Sequence, residues 1–140
     1  MKFAAFSLCV LLASPASAFS CFGRYYDDAH LDRHPEQTVQ EIFFGDLTGR
    51  PMLQVRLEGR QSYIYGYAEC RDTGRFLSCN LENGQGNFTV QRQPDGTMLL
   101  RVGVMDVRLE RGGEQEIILL QHDRGDDRVF KLYAGKGCIY

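Results

Sequence analysis

Two histidines are the residues of this chain whose spacing best suits metal chemistry. His30 and His34 are four positions apart, so a short helix would place both imidazoles on one face, where such a pair can bind a metal ion. No HExxH glutamate and no third strong ligand accompany them, which favours a helix with two surface histidines. We expect no bound metal and no cofactor, with His30 and His34 as weak candidates.

A compact acidic loop is the second candidate. It carries Asp123, Asp126 and Asp127, and calcium is bound by several carboxylates on a flexible turn. The loop lacks the spacing of an EF-hand and arginines flank its aspartates, which favours a solvated hairpin loop with local ion pairs. The three aspartates are predicted to contact a partner rather than a metal.

A stripe of tyrosines is the third candidate. Tyr63, Tyr65 and Tyr67 alternate along one predicted strand, so all three fall on the same face of a sheet. Tyrosine is favoured in interfaces because it buries a large area and keeps a polar tip. The alternative is that the segment 22–36 lies over the stripe and buries it within the monomer.

Motifs for covalent catalysis are absent from the sequence. There is no GxSxG elbow, and the cysteines are expected to be oxidised and therefore unavailable as nucleophiles. The prediction is a non-enzymatic binding module whose partner is an unknown protein or small ligand. The alternative from a different class is a metal-dependent enzyme that uses His30 and His34.

The first residues are typical of a bacterial Sec-type signal peptide. Lys2 supplies the charged start, residues 3–13 are apolar, and Ala16-Ser17-Ala18 is an A-x-A cleavage site. The mature protein is expected to begin at Phe19 and to be periplasmic or secreted. No other run approaches the roughly 18 apolar residues of a membrane span.

Removal of a signal peptide would leave four cysteines, which in a small exported domain predicts two disulfides. Between the predicted strands, Asp72-Thr73-Gly74-Arg75 supplies turn chemistry, and a turn centred there places Cys70 opposite Cys79. Opposed Cα atoms lie about 4.5–5.5 Å apart, which suits a disulfide. Cys21 and Cys138 would then join the two ends of the mature chain.

The rest of the chain has the pattern of an all-β domain. From Thr38 onward, short apolar runs alternate with Gly- and Pro-containing turns, and no long helix is available to link parallel strands. We predict a single antiparallel meander of about eight strands that closes into a small barrel, with a two-sheet sandwich as the alternative. The apolar parity of the run 97–110 changes at Gly103, which predicts a bulge, or a break that adds a ninth strand.

The predicted organisation is a signal peptide at 1–18, an N-terminal segment at 19–37 and a β-barrel domain at 38–140. The N-terminal segment should hold a short helix that begins at Asp27 and ends before Pro35. A net charge of −2 and the lack of a basic block argue against nucleic acid as a partner.

The plan of the chain resembles the small periplasmic β-barrels typified by the bacterial inhibitors of C-type lysozyme. The shared features are a signal peptide, about eight strands and cysteines in the second half of the chain. The resemblance implies a protein inhibitor of a secreted or host hydrolase, and no functional residue is carried over. Lipocalin-like barrels are a second similarity in plan and imply a small-ligand carrier, for which Gly66, Ala68 and Gly103 are small inward candidates.

Overall fold

A computed structural model describes residues 21–46, 49–111, 114–121 and 125–136. The predicted signal peptide, Asp123 and Cys138 lie outside these residues. In chain order the elements are β1 (Phe22–Tyr25), α1 (Asp28–Arg33), β2 (Val39–Asp46), β3 (Pro51–Leu57), β4 (Ile64–Asp72), β5 (Leu77–Leu81), a 3-10 turn (Glu82–Gly84), β6 (Gly86–Arg92), β7 (Met98–Arg111), β8 (Glu114–Gln121) and β9 (Val129–Ala134).

Eight of these strands close into an antiparallel barrel. Strands β1 to β7 pair in chain order, and β9 pairs with both β7 and β1 to complete the ring. The predicted all-β class, the closed barrel and the strand number are confirmed. β8 pairs only with the distal half of β7, so the eighth position in the ring is taken by β1. For that part of the chain the sequence had predicted no strand.

The central hairpin has the predicted register. Cys70 of β4 pairs with Cys79 of β5, and a disulfide joins them. In the turn, the Asp72 carboxylate accepts a hydrogen bond from Gly74 N at 2.7 Å. Gly74 has φ of 87°, a left-handed conformation that glycine adopts without steric cost. The local turn chemistry therefore sets which side chains of β4 and β5 face inward.

The parity change in β7 is a bulge at Gly103. Asn87 pairs with Val104 and Phe88 pairs with Val102, which leaves Gly103 as the extra residue. A Cβ atom at position 103 would lie 1.8 Å from Oδ1 of Asn87, so a larger residue there would require the Asn87 side chain to move. The predicted bulge is confirmed, and β7 continues through it as one strand.

Apolar side chains fill the barrel. Phe88 and Phe130 are each 1% exposed, and Phe88 packs edge-to-face on Phe44 at 5.7 Å between ring centroids. The predicted inward face of the hairpin is confirmed, since Ala68 and Cys79 are buried in this core. The core residues are drawn from every strand of the ring, so the barrel is held together as one unit.

The short helix lies where β1 leads into β2. The Asp27 side chain accepts a hydrogen bond from His30 N at 2.8 Å, and the helix ends before Pro35, as predicted. Leu31 is 3% exposed and packs into the core. The helix therefore packs against the barrel core through Leu31. The part of the chain that the structure describes contains no helix with the length and hydropathy that a membrane span requires.

The two ends of the ring lie side by side. The backbone N of Gly135 donates to the carbonyl oxygen of Cys21 at 2.7 Å. Cys21 therefore lies next to Gly135, three positions before Cys138 in the sequence, as the predicted disulfide requires. Cys138 lies outside the described residues, so the predicted Cys21–Cys138 disulfide stays a prediction.

Candidate binding site on the outer wall

Half of the circumference of the barrel carries a set of outward-facing residues that is rich in aromatic and charged side chains, and we call it the aromatic wall. Strand register places them in rows across β9, β1, β2, β3 and β4. The first row contains Tyr133, Gly23, Phe43, Gln54 and Tyr65. The second row contains Tyr25, Glu41 and Arg56, and Tyr63 lies beside Arg56. The third row contains Gly45, Met52 and Tyr67.

The three predicted tyrosines all belong to this wall. Tyr65 is 65% exposed, whereas Tyr63 and Tyr67 are half-buried. The segment 22–36 does not cover Tyr65, because its strand lies within the barrel wall and its helix packs on the core. The alternative that this segment buries the stripe is therefore wrong for Tyr65.

Glu41 holds the middle of the aromatic wall in place. Its carboxylate accepts hydrogen bonds from the Arg56 guanidinium and from the Tyr63 hydroxyl. Arg56 Nη1 also donates to Oε1 of Gln40 at 2.8 Å. Burial and then the bond to Glu41 raise the pKa of Tyr63, and the bond to Glu41 raises the pKa of Arg56. Tyr63 is therefore a fixed, neutral phenol at physiological pH.

Tyr67 is anchored in a different way. The Arg50 guanidinium lies 4.5 Å from the centre of the Tyr67 ring and also pairs with Glu82. Within the described residues, no hydrogen bond or ring contact holds the Tyr65 side chain. Tyr65 thus projects between Tyr63 and Tyr67, whose side chains are held by neighbouring residues. Because these neighbours are already fixed, less conformational entropy is lost when a partner binds.

A cleft of about 620 Å³ opens in the aromatic wall over Gly23. A Cβ atom at position 23 would lie 2.2 Å from both the Phe43 ring and the carbonyl oxygen of Lys136, so glycine allows these two groups to pack closely against β1 beside the cleft. The volume falls in the range of roughly 300–1,000 Å³ that is usual for ligand sites. The lining residues are Gly23, Arg24, Tyr25, Glu41, Phe43, Tyr133 and Lys136.

Sequence reasoning missed this cleft. The available signal was an isolated glycine between large residues in Phe22–Tyr25, a pattern that marks close approach of a ligand or another chain segment when it falls in a strand. The strand was too short to be recognised, and the pairing of β1 with β9 joins residues more than a hundred positions apart.

Side chains fill most of the part of the barrel interior that the described residues line. A cavity of about 30 Å³ lies between Leu53, Ile64, Leu81 and neighbouring side chains, which is space for about one water molecule. The predicted small inward residues do not enlarge it. Gly66 borders this cavity, Ala68 is packed in the core, and the space beside Gly103 is filled by Asn87.

The predicted acidic residues are used in different ways. Asp127 is buried, and its carboxylate accepts hydrogen bonds from Thr38 N at 2.7 Å, Thr38 Oγ1 at 2.6 Å and Val39 N at 3.1 Å. Burial raises the pKa of Asp127, and these hydrogen bonds oppose the rise. Asp127 therefore fixes the loop to β2 and is not exposed to a partner. Asp126 is exposed, and Asp123 lies outside the described residues.

The two histidines stack on each other with ring centroids 4.4 Å apart. His30 Nε2 is 3.1 Å from Oε1 of Gln37, and His34 Nδ1 is 3.2 Å from Oδ2 of Asp126. In the described part of the chain, no group of three or more His, Cys, Asp or Glu residues could hold a metal ion. The pair therefore has local partners at the barrel end and lies apart from the aromatic wall.

Comparison of the chain with protein-family models, with curated proteins and with solved structures finds no match. A small β-barrel is compatible with many functions. Function must therefore be inferred from the aromatic wall itself.

Proposed function

We propose that this protein is an exported, non-enzymatic binding module that recognises a partner protein through the aromatic wall. The observation that carries the proposal is the Tyr65 ring, which is 65% exposed between two anchored tyrosines. Aromatic residues and arginine are enriched in interfaces and supply most of their hot spots. The wall offers both kinds of residue on a rigid sheet.

The curvature of the barrel decides which part of the wall one partner can reach. β9 and β4 are four steps apart in a ring of eight strands, so they lie on opposite sides of the barrel. A partner centred on Tyr65 of β4 therefore contacts β3, β4 and their neighbours first, and it reaches Tyr133 of β9 only by extending around the barrel. Interfaces of standard size bury about 800 Å² on each partner, which allows such an extension.

Export is supported by two sequence features and one structural feature. The N-terminal stretch has the three regions of a signal peptide, and four cysteines would remain after its removal. The Cys70–Cys79 disulfide is of the kind that persists in oxidising compartments such as the periplasm.

A hydrolase such as a lysozyme is the partner class that we propose. A small barrel that is cross-linked by a disulfide and whose sequence shows no catalytic motif has the general plan of a protein inhibitor. In this plan the chain resembles the bacterial inhibitors of C-type lysozyme. A rigid scaffold of this kind can block a cleft at low entropic cost.

The test is a titration of the full mature chain against a C-type lysozyme, with cell-wall lysis as the readout. We expect wild-type protein to inhibit and Tyr65→Ala to require about 30-fold more protein, the equivalent of a typical hot-spot loss of about 2 kcal/mol. Asn80→Ala, at an exposed position of β5 outside the aromatic wall, is the matched control and should inhibit like wild type.

The possible negative results contradict different parts of the proposal. Absence of inhibition by the wild-type protein contradicts the hydrolase class. Inhibition that Tyr65→Ala and Asn80→Ala weaken equally, or that neither weakens, contradicts the assignment of the aromatic wall as the contact surface.

A further inference from the structure

The cleft beside Gly23 has aromatic sides. Phe43 and Tyr133 flank Gly23 on the neighbouring strands, and Tyr25 lies two positions further along β1. Phe43 is 4% exposed, whereas Tyr25 and Tyr133 are 56% and 39% exposed. A planar or apolar body of ligand size can therefore pack against the exposed tyrosine rings, and the buried Phe43 ring supports the wall beneath them.

Two basic residues line the same cleft, Arg24 and Lys136. Arg24 Nη1 donates to the Tyr133 hydroxyl at 2.9 Å, and its guanidinium lies 4.9 Å from the centre of the Tyr26 ring. These contacts fix the direction of the guanidinium and do not neutralise its charge. Within the described residues, no carboxylate pairs with Arg24 or with Lys136.

The carboxylate that lines the cleft, Glu41, does not neutralise these cations. Its oxygens accept hydrogen bonds from Arg56 and Tyr63 on the far side. The charge of Glu41 is therefore balanced by Arg56, and among the described residues that line the cleft the charges of Arg24 and Lys136 are not neutralised.

We infer that the cleft binds a small carboxylate that carries an aromatic or apolar body. The carboxylate lies between Arg24 and Lys136, where arginine can donate two parallel hydrogen bonds, and the body packs against the exposed rings of Tyr25 and Tyr133. This inference goes beyond the proposed protein contact and does not rest on it, because Tyr65 does not line the cleft.

The experiment titrates phenylacetate into the full mature chain and follows backbone amide shifts by NMR. We expect shifts centred on Gly23 and Lys136 and an affinity in the millimolar range, as befits a probe of about ten heavy atoms. Phenylacetamide, which has the same shape without the charge, should bind at least tenfold more weakly. Tyr65→Ala should bind phenylacetate like wild type.

Variants that remove a positive charge from the cleft test which residues bind the carboxylate. Lys136→Met should weaken phenylacetate binding about tenfold, and the exposed position of Lys136 keeps this variant folded. Arg24→Met should weaken binding at least as much, and its amide spectrum shows whether the packing on Tyr26 survives. Lys131→Met removes a lysine that pairs with Asp95 outside the cleft, and it should bind like wild type.

Three results would overturn the inference. One is equal affinity for phenylacetate and phenylacetamide. The second is unchanged binding in both Lys136→Met and Arg24→Met. The third is binding that begins only when Ile139 and Tyr140 are deleted, because the cleft would then take the end of this chain and not a separate ligand.

Discussion

Two parts of the barrel wall share one core and differ on the outside. The aromatic wall, on β9 and β1 to β4, presents rings and charged pairs to solvent. The outer face of β5 and β6, which we call the polar wall, presents Ser78, Asn80, Asn87, Thr89 and Gln91. Inside, the two parts meet through the contact of Phe44 with Phe88.

The difference shows which residues folding requires. A barrel needs apolar side chains inside, and the polar wall demonstrates that its outer face can be built from small polar residues. The exposed rings of Tyr25, Tyr65 and Tyr133 bury little apolar area within the monomer and raise the risk of aggregation. Their presence on the aromatic wall supports the binding role that we propose for it.

The largest expected effect is on the core that both walls share. Phe88→Ala should destabilise the protein by about 3–5 kcal/mol, because it removes a fully buried ring and leaves a cavity against Phe44. Thr89→Ala, at the next and outward-facing position, should stay within about 0.5 kcal/mol. Denaturant unfolding measures both. Separate transitions for the two walls would break the picture of a single core.

The second effect concerns the hairpin that joins the two walls. Replacement of both Cys70 and Cys79 by alanine should cost about 2–3 kcal/mol, since the bond closes a loop of about ten residues in the unfolded chain. The double variant is preferable to a reducing agent, which would also act on the predicted Cys21–Cys138 bond. If the double variant unfolds at the same denaturant concentration as the wild-type protein, the disulfide does not stabilise the barrel.

The third effect is specific to the aromatic wall. Glu41→Gln should cost about 1.5 kcal/mol, because Arg56 and Tyr63 lose their charged acceptor. The pKa of Tyr63 should fall, since the carboxylate of Glu41 contributes to its rise. Absorbance of tyrosinate during an alkaline titration reports this change. Glu82→Gln, at the exposed ion pair with Arg50, is the control and should leave the titration unchanged.

The smallest effect is on the dependence of stability on pH, where two aspartates should act in opposite directions. Burial raises the pKa of Asp127, so its contribution is fully present below the usual aspartate pKa of about 4 and is lost as pH rises through the raised value. Hydrogen bonds from Thr97 and Lys131 lower the pKa of Asp95. The contribution of Asp95 is therefore present above about pH 4 and is lost as pH falls.

The comparison uses Asp127→Asn and Asp95→Asn, with unfolding measured between about pH 3 and pH 8. The stability of wild type relative to Asp127→Asn should decrease as pH rises. The stability of wild type relative to Asp95→Asn should increase over the same range. Two slopes of the same sign would contradict the assigned causes of the pKa shifts.

Features that depend on a few neighbouring residues were predicted from the sequence. The turn at Asp72–Arg75 set the register of the disulfide, the parity change located the bulge at Gly103, and Asp27 and Pro35 bounded the helix. Each of these has a local cause in turn chemistry, side-chain alternation or capping.

Two features that depend on distant pairing were not predicted. β1 has only four residues and a glycine, too few to show alternation, so its place in the ring and the cleft over Gly23 were missed. The aspartates of one loop looked equivalent, yet Asp127 is buried by contacts with Thr38 and Val39. Neighbours about ninety positions away decide such a difference, and no local pattern records them.

Photo-crosslinking measures the central contrast most directly. A benzophenone-bearing amino acid is placed at position 65 of the aromatic wall and, in a second strain, at position 80 of the polar wall, and adducts are identified after irradiation of exporting cells. We predict that one defined protein is captured from position 65 and not from position 80. Capture of the same proteins from both positions, or from position 80 alone, would contradict the account.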